Sequence, residues 1–347
     1  MDHNASSLLD WPKLTPQLER YRPFSLSMAA TANEVIHREN KLKLRHYFAD
    51  TPRTKPPVLV VPSLINKYYI LDLLPNYSFV EFLVEQGHDV FLIDWGEPTD
   101  EDRFINLETI VFRYLKRCFN IVRKRTQQDV SLIGYCLGGN LANLFAADGP
   151  QGLGALVNLT TPINFHNDGL LSHWTRVENF DIDQLVEATG NVPWYLMQSS
   201  FQMLSPLGSL GKVKKLFSEL GNDQFLDRFF ALEAWGNDNV SFPGEAFREL
   251  IDLFYKQNVF VLSDAFEVGT RELSIRNISV PMLNIFSETD GIVPAESAKA
   301  LKGLCSESQY TEFIAKGGHI GAIVGGRAKS EMWPFLSAWI CENQTEV

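Results

Sequence analysis

The chain has 347 residues, 45% hydrophobic and 21% charged, enough for one large core or a core carrying a sizeable insertion. Its formal charge of −11 argues against the basic field that broad nucleic-acid binding needs, although a local basic pocket would still fit. No apolar run reaches the roughly eighteen residues of a transmembrane helix, and residues 1–12 lack the basic start and apolar stretch of a signal peptide, so a cytoplasmic location is expected.

An N-terminal helical arm is expected over residues 1–40, with its helix at about Leu26 to Arg38. Short apolar runs then alternate with helical patterns. Val58 to Pro62, Asp89 to Asp94, Val130 to Gly134 and Ala155 to Leu159 read as buried strands. Between the second and third, Leu107, Ile110, Val111, Tyr114, Leu115, Cys118, Ile121 and Val122 recur with helical spacing. Buried strands alternating with helices indicate a mostly parallel sheet covered on both faces. The rhythm stops at about Thr161, where helices and loops rich in aromatics and Met begin, and it resumes with a strand at Pro281 to Phe286. The expected division is therefore a core over 41–161, a helical cap insertion over 162–275, and the rest of the core over 276–347. Such a cap would sit over the carboxyl edge of the strands, where open α/β sheets bind ligands.

The strongest local feature is Gly134-Tyr135-Cys136-Leu137-Gly138-Gly139, between a strand and a helical run from Asn140 to Ala147. It has the form of the G-x-S-x-G nucleophile elbow of the α/β-hydrolase fold, with cysteine in the serine position. Glycines flank the nucleophile because the turn is too tight for side chains there. The sulfur would stand at a helix N-terminus, whose dipole favours thiolate, and the Leu137 N–H would point at a developing oxyanion. The bland alternative is a small buried cysteine in a strand–helix turn. Cys118 and Cys341 read as packing residues and Cys305 as part of a surface turn; without a CxxC pair, neither a zinc site nor a disulfide framework is indicated.

An elbow nucleophile requires an acid and then a histidine further along the chain. His319, in Gly317-Gly318-His319-Ile320-Gly321 after the run Tyr310 to Ala315, fits that order. His37, His46 and His88 precede the elbow, while His166 and His173 open the insertion with either cleft-lining or structural roles. Asp290, just past the strand ending at Phe286, is the expected acid, with Glu288 as its rival. A second oxyanion donor would come from the loop after the first central strand, from the N–H of Leu64 or Ile65. No metal or cofactor is called for. The aromatic and Met-rich stretch Val192 to Leu210 reads as cap packing, an acyl tunnel, or a contact with polymer and partner. Lys212, Lys214 and Lys215 read as a solvated helix face, with CoA phosphates as the alternative.

These residues together resemble the polyhydroxyalkanoate (poly-3-hydroxybutyrate) synthases, most closely the short catalytic subunits of the two-subunit class III type. The resemblance runs from about Pro56 to Trp339 through Ile65 to Leu73, Gly87 to Gly96, the elbow, and Thr161 to Phe165. It continues through Ala234-Trp235-Gly236-Asn237-Asp238, Phe242 to Phe247, Val280 to Phe286, Ala298 to Gly303 and Gly317 to Gly321. It implies polymerisation of (R)-3-hydroxyacyl-CoA, with CoA release, into an intracellular storage polyester at the surface of granules. It places nucleophile, acid and base on Cys136, Asp290 and His319, and implies a second synthase subunit and a homodimer. Gly291 departs from the family, which usually has histidine after the acid; Pro62 to Lys67 looks more like the single-subunit classes. A thioesterase or polyester hydrolase of the same fold, or a non-catalytic granule-associated homologue, are the rival expectations.

Overall fold

The computed structural model describes residues 27–50, 52–167, 169–176, 180–203, 208–306 and 309–344. Eight strands form the central sheet: β1 (Asn33–Glu39), β2 (Leu42–Tyr47), β3 (Lys55–Val61), β4 (His88–Asp94), β5 (Val130–Tyr135), β6 (Leu153–Leu159), β7 (Met282–Ser287) and β8 (Tyr310–Ala315). Their spatial order is β1-β2-β4-β3-β5-β6-β7-β8. β2 runs antiparallel to both its neighbours, and every pair from β4 onward is parallel. The parallel strands are nearly continuous apolar runs because both faces are covered: β5 and β6 are buried at every residue.

The chain lays β4 on one side of β3 and then crosses to put β5 on the other. This reversal opens a crevice at the carboxyl ends of β3 and β5. Val61 pairs with Gly134, so the loop after β3 and the elbow after β5 leave the sheet side by side.

Helix α1 (Lys116–Thr126), entered through a π-wound stretch at Thr109–Leu115, buries Leu107, Ile110, Val111, Leu115, Cys118 and Val122 against the sheet. Helix α2 (Leu137–Ala147) follows the elbow and is buried throughout. Its polar Asn140 donates to the Pro162 carbonyl at 2.7 Å, and Asn143 to the Asn158 side chain at 2.7 Å, which makes deep burial tolerable.

The segment between β6 and β7 is mostly helical, including α3 (Asp223–Asn237) and α4 (Gly244–Leu250). It also holds a small hairpin, Phe266–Val268 with Arg271–Leu273, where the sequence pattern predicts helix and loop. These helices lean on the loops beyond β3 and β4. Asn191 donates to the Thr99 carbonyl at 2.8 Å, and Ala246 N–H to the Ile105 carbonyl at 3.0 Å. Trp194, Tyr195, Leu196 and Met203 are exposed, while residues 204–207 of the same stretch lie outside the described residues.

The expected N-terminal helix is corrected. Residues 1–26 lie outside the described residues, but Asn33–Glu39 is a strand, paired with β2 across a turn at Asn40 and Lys41. Asn40 adopts φ 52°, a left-handed conformation that asparagine tolerates and that a tight hairpin needs. Val35 and Ile36 are β-branched, and pairing along the sheet edge outweighs the weak helical spacing.

Helix α5 (Trp333–Asn343) closes the back of the sheet. There the buried His88 meets the Pro56 carbonyl through Nδ1 at 2.8 Å and the Ser337 hydroxyl through Nε2 at 2.9 Å. Burial, with Lys55 nearby, lowers its pKa from 6.5 to about 4 despite the Pro56 bond. Between those values the unfolded chain binds more protons than the folded one, so this histidine's contribution is complete above 6.5 and is lost as pH falls toward 4. Urea midpoints of the native chain should therefore drop between pH 7 and pH 5, and a His88→Gln variant should lose less over the same interval.

Candidate active site

Cys136 ends β5 and caps α2 with φ 53° and ψ −125°, a conformation that costs an L-residue about 1–3 kcal/mol. The surroundings hold it there: its N–H donates to the Leu159 carbonyl at 2.9 Å, and its carbonyl accepts from Gly139 N–H at 2.9 Å. A side chain on Gly138 would strike the Val61 and Pro62 carbonyls, and one on Gly139 the Thr161 side chain. The elbow can lie this close to the β3 loop and to the end of β6 only because both residues are glycine.

His319 and Asp290 stand on the loops after β8 and β7, which pair up to Ser287 and Ala315. His319 Nδ1 meets Asp290 Oδ2 at 2.7 Å, both residues being 7% exposed. The other oxygen, Asp290 Oδ1, accepts from the N–H groups of Ile292 and Val293 at 2.8 and 2.9 Å. These two backbone hydrogen bonds fix the orientation in which the carboxylate meets the imidazole. The two loops are tied together as well, since the hydroxyls of Ser287 and Thr289 both donate to the Gly317 carbonyl. Glu288, the rival acid, is exposed.

The sequence-predicted triad residues therefore come together. Burial alone would lower the His319 pKa. The negative sulfur of Cys136 and the bond to Asp290 outweigh it and raise the imidazole from 6.5 to about 10. With Nδ1 engaged by Asp290, Nε2 is the nitrogen left for the sulfur. The other cysteines lack such a partner. Burial pushes Cys118 up to about 12 and Cys305 up to about 11. Cys341, expected to pack, is exposed.

The Leu137 N–H heads α2, where the first N–H groups have no partner within the helix. On the facing loop, Ile65 N–H donates to Ser63 Oγ at 3.4 Å, whereas Leu64 N–H has no acceptor among the described residues. Of the two expected donors, Leu64 is the one available. Trp95 Nε1 donates to the Pro62 carbonyl at 2.9 Å and anchors the start of this loop.

Two tyrosines were not anticipated from the sequence. Tyr135 lies with its ring centroid 5.8 Å from that of His319. Burial, then the charges of Cys136 and Asp290, hold its phenol well above the usual range. Tyr255, on the π-wound turn Ile251–Lys256, is likewise raised by burial and by Cys136. Only the local departure from α-helical winding could have marked Tyr255, and a sequence does not display it. His166 is bound to the carbonyls of Tyr255 and Lys256, and His173 is exposed. Lys212 pairs with Glu233 at 2.6 Å and Lys215 lies 5.6 Å from the Phe225 ring centre, as on a solvated helix face.

The family model for the alpha/beta hydrolase fold matches residues 56–326, and that for the poly-beta-hydroxybutyrate polymerase N-terminus matches residues 13–83. A poly(3-hydroxyalkanoate) polymerase subunit of Allochromatium vinosum is 35% identical over 327 residues, covering 92% of this chain and 91% of the relative. That of Thiocystis violacea is 32% identical over 351 residues, covering 99% and 98%. This chain belongs to the poly(3-hydroxyalkanoate) polymerase family. Against the longer relative from Haloferax mediterranei, 35% identical over 323 residues and 92% of this chain, it spans 65% of the length. Among solved structures, a soluble variant of monoglyceride lipase from Saccharomyces cerevisiae superposes with TM-score 0.59 at 11% identity, over 94% of this chain and 99% of that one. The alpha/beta hydrolase GrgF from Penicillium gives 0.55 at 16%, over 90% and 98%. At such identities these two carry the fold alone.

Gly291, which the resemblance marks as a departure from the family, directly follows Asp290. It is exposed, and a Cβ placed on it meets no atom within 4 Å. Gly291→His should therefore leave steady-state rates within about 0.5 kcal/mol, a factor of two to three. Asp290→Asn, which keeps an oxygen for the backbone but loses the charge, should cut kcat on the order of 10³–10⁴-fold in the same assay.

Proposed function

We propose that this chain polymerises (R)-3-hydroxyacyl-CoA thioesters, 3-hydroxybutyryl-CoA being the expected member, into polyhydroxyalkanoate through a covalent acyl-enzyme on Cys136. The observation that carries the reading is a thiol, in place of a hydroxyl, at a strained elbow beside a buried His–Asp pair. Its relatives' names support the substrate class: they are poly(3-hydroxyalkanoate) polymerase subunits.

In this mechanism the Cys136 thiolate attacks the thioester carbonyl. The N–H groups of Leu137 and Leu64 receive the oxyanion. Collapse breaks the carbon–sulfur bond to CoA, whose sulfur takes the proton from His319 and leaves as free CoA. His319, now neutral and oriented by Asp290, accepts the proton from the hydroxyl of the acceptor hydroxyacyl unit. That oxygen attacks the acyl-enzyme, an ester forms, and the Cys136 thiolate is regenerated beside the imidazolium. Exchange of one thioester for another is nearly isoenergetic, so acylation needs no outside energy, and ester formation from a thioester drives elongation. The apolar walls around Tyr135 and Tyr255 serve to keep water from the acyl-enzyme.

The relatives are named as subunits, which supports a second synthase subunit, and the reading extends to a homodimer working in the cytoplasm at granule surfaces. Among the described residues no helix is long and apolar enough to cross a membrane.

The test is incubation with 3-hydroxybutyryl-CoA, with and without lysate, following CoA release and product. Polymer is the expected product; free hydroxy acid would make the chain a hydrolase of the same fold. Cys136→Ala should lower CoA release on the order of 10⁴–10⁶-fold. Release at the native rate would remove Cys136 from the mechanism.

A further inference from the structure

The segment Trp235–Val240, at the end of α3 in the helical insertion, grips the loop that carries the proposed second oxyanion donor. Asn66 Nδ2 donates to Asn239 Oδ1 at 2.6 Å, and Trp235 Nε1 donates to the Lys67 carbonyl at 2.9 Å. Val240 N–H approaches the Ile65 carbonyl at 3.5 Å. Asp238 accepts from Tyr69 Oη at 2.7 Å and pairs with Lys67 Nζ at 2.9 Å. Asn66 and Asn239 also form an isolated antiparallel bridge. Five contacts thus fall on residues 65–69, immediately after Leu64, and all come from one six-residue stretch of the insertion.

The core holds the loop at its opposite end. Trp95 anchors the Pro62 carbonyl, and Gly138 of the elbow packs directly on Val61 and Pro62. Leu64 therefore lies between a fixed point on the sheet side and a fixed point on the insertion. Its N–H must be aimed to within a few tenths of an ångström for an oxyanion to form without reorganisation.

From this geometry we infer that Asp238 is a positioning residue: with Lys67 and Tyr69 it sets the β3 loop, so the oxyanion hole is complete only when α3 is seated. The inference rests on the acyl-enzyme reading above and adds the means by which the insertion acts on the chemistry. Asp238 does not touch the reacting atoms. The Lys67–Asp238 pair is partly open to solvent, with side chains 29% and 46% exposed, so it contributes little to overall stability. What it fixes is direction. Burial and the bond to Asp238 raise the Tyr69 phenol above its usual range, which keeps it protonated as the donor.

Two reactions of the same sulfur separate positioning from nucleophile formation. Alkylation of Cys136 by iodoacetamide displaces iodide at carbon and makes no oxyanion, whereas acylation by 3-hydroxybutyryl-CoA needs one. In Asp238→Ala the alkylation rate should stay within about twofold, while single-turnover CoA release falls about 10- to 100-fold with KM little changed. Asp238→Asn, which still accepts from Tyr69, should recover part of that loss. Tyr69→Phe combined with Asp238→Ala should be no slower than Asp238→Ala alone. Should Asp238→Ala fail to fold, judged by its thermal midpoint, Tyr69→Phe carries the same comparison with the loss of one hydroxyl.

Acylation at the native rate in Asp238→Ala would overturn the inference. So would alkylation and acylation falling in parallel, because the clamp would then act on the nucleophile or on access. A native chain that releases no CoA at all would count against the polymerase reading instead, and p-nitrophenyl acetate would then serve as acyl donor for the same variants.

Discussion

Everything at this site depends on the buried bond between His319 and Asp290. An imidazolium and a carboxylate are each costly to bury alone, and they persist together only if every remaining lone pair and proton is used. Asp290 supplies that closure. Its two oxygens take one imidazole N–H and two backbone N–H groups, so the carboxylate is satisfied without solvent. His319 can therefore hold its proton well above its ordinary range, and the sulfur has a counter-ion on one side and the N-terminus of α2 on the other. Removing any member would leave a buried charge unpaired, which explains why the loops are tied to each other through Ser287, Thr289 and Gly317.

Cysteine suits this arrangement better than serine would if the donor is itself a thioester. Acyl transfer from sulfur to sulfur keeps the enzyme-bound chain activated for attack by a hydroxyl. A serine ester would have spent that activation. The same reactivity makes the intermediate vulnerable to water, so burial of Tyr135 beside His319 and the covering helical segment become parts of one requirement.

The parallel strands were readable because burial on both faces makes them uninterrupted apolar runs, and the elbow was readable because its backbone accepts only glycine at Gly138 and Gly139. Cys136 and His319 came with these landmarks. Asp290 over Glu288 was a weaker inference, since two carboxylates two residues apart differ only in which one the turn folds inward. Asn33–Glu39 and Leu42–Tyr47 escaped because an antiparallel edge carries charged side chains and this hairpin is docked by partners distant in sequence: β4 pairs with β2, and Glu39 sits 2.7 Å from Arg113 and 3.2 Å from Arg117. The choice of Leu64 over Ile65 was invisible for a different reason. Backbone N–H groups have no residue identity, and only the Ser63 hydroxyl at Ile65 distinguishes them.

The crevice between β3 and β5 exists in any sheet whose strand order reverses at that place, but an oxyanion hole requires more than a crevice. One of its proposed sides, the Leu137 N–H, belongs to a helix buried along its whole length and cannot move without the core. The other is a loop whose far end is held by residues from a separate, more exposed segment. Rigidity is thus unequal across the proposed hole. A loop fixed entirely by the core would be ready at all times, including for water. On the proposal above, tying its aim to Asp238 and Asn239 restricts the complete hole to the arrangement in which the insertion is seated, so that water exclusion and transition-state stabilisation would share the same hydrogen bonds.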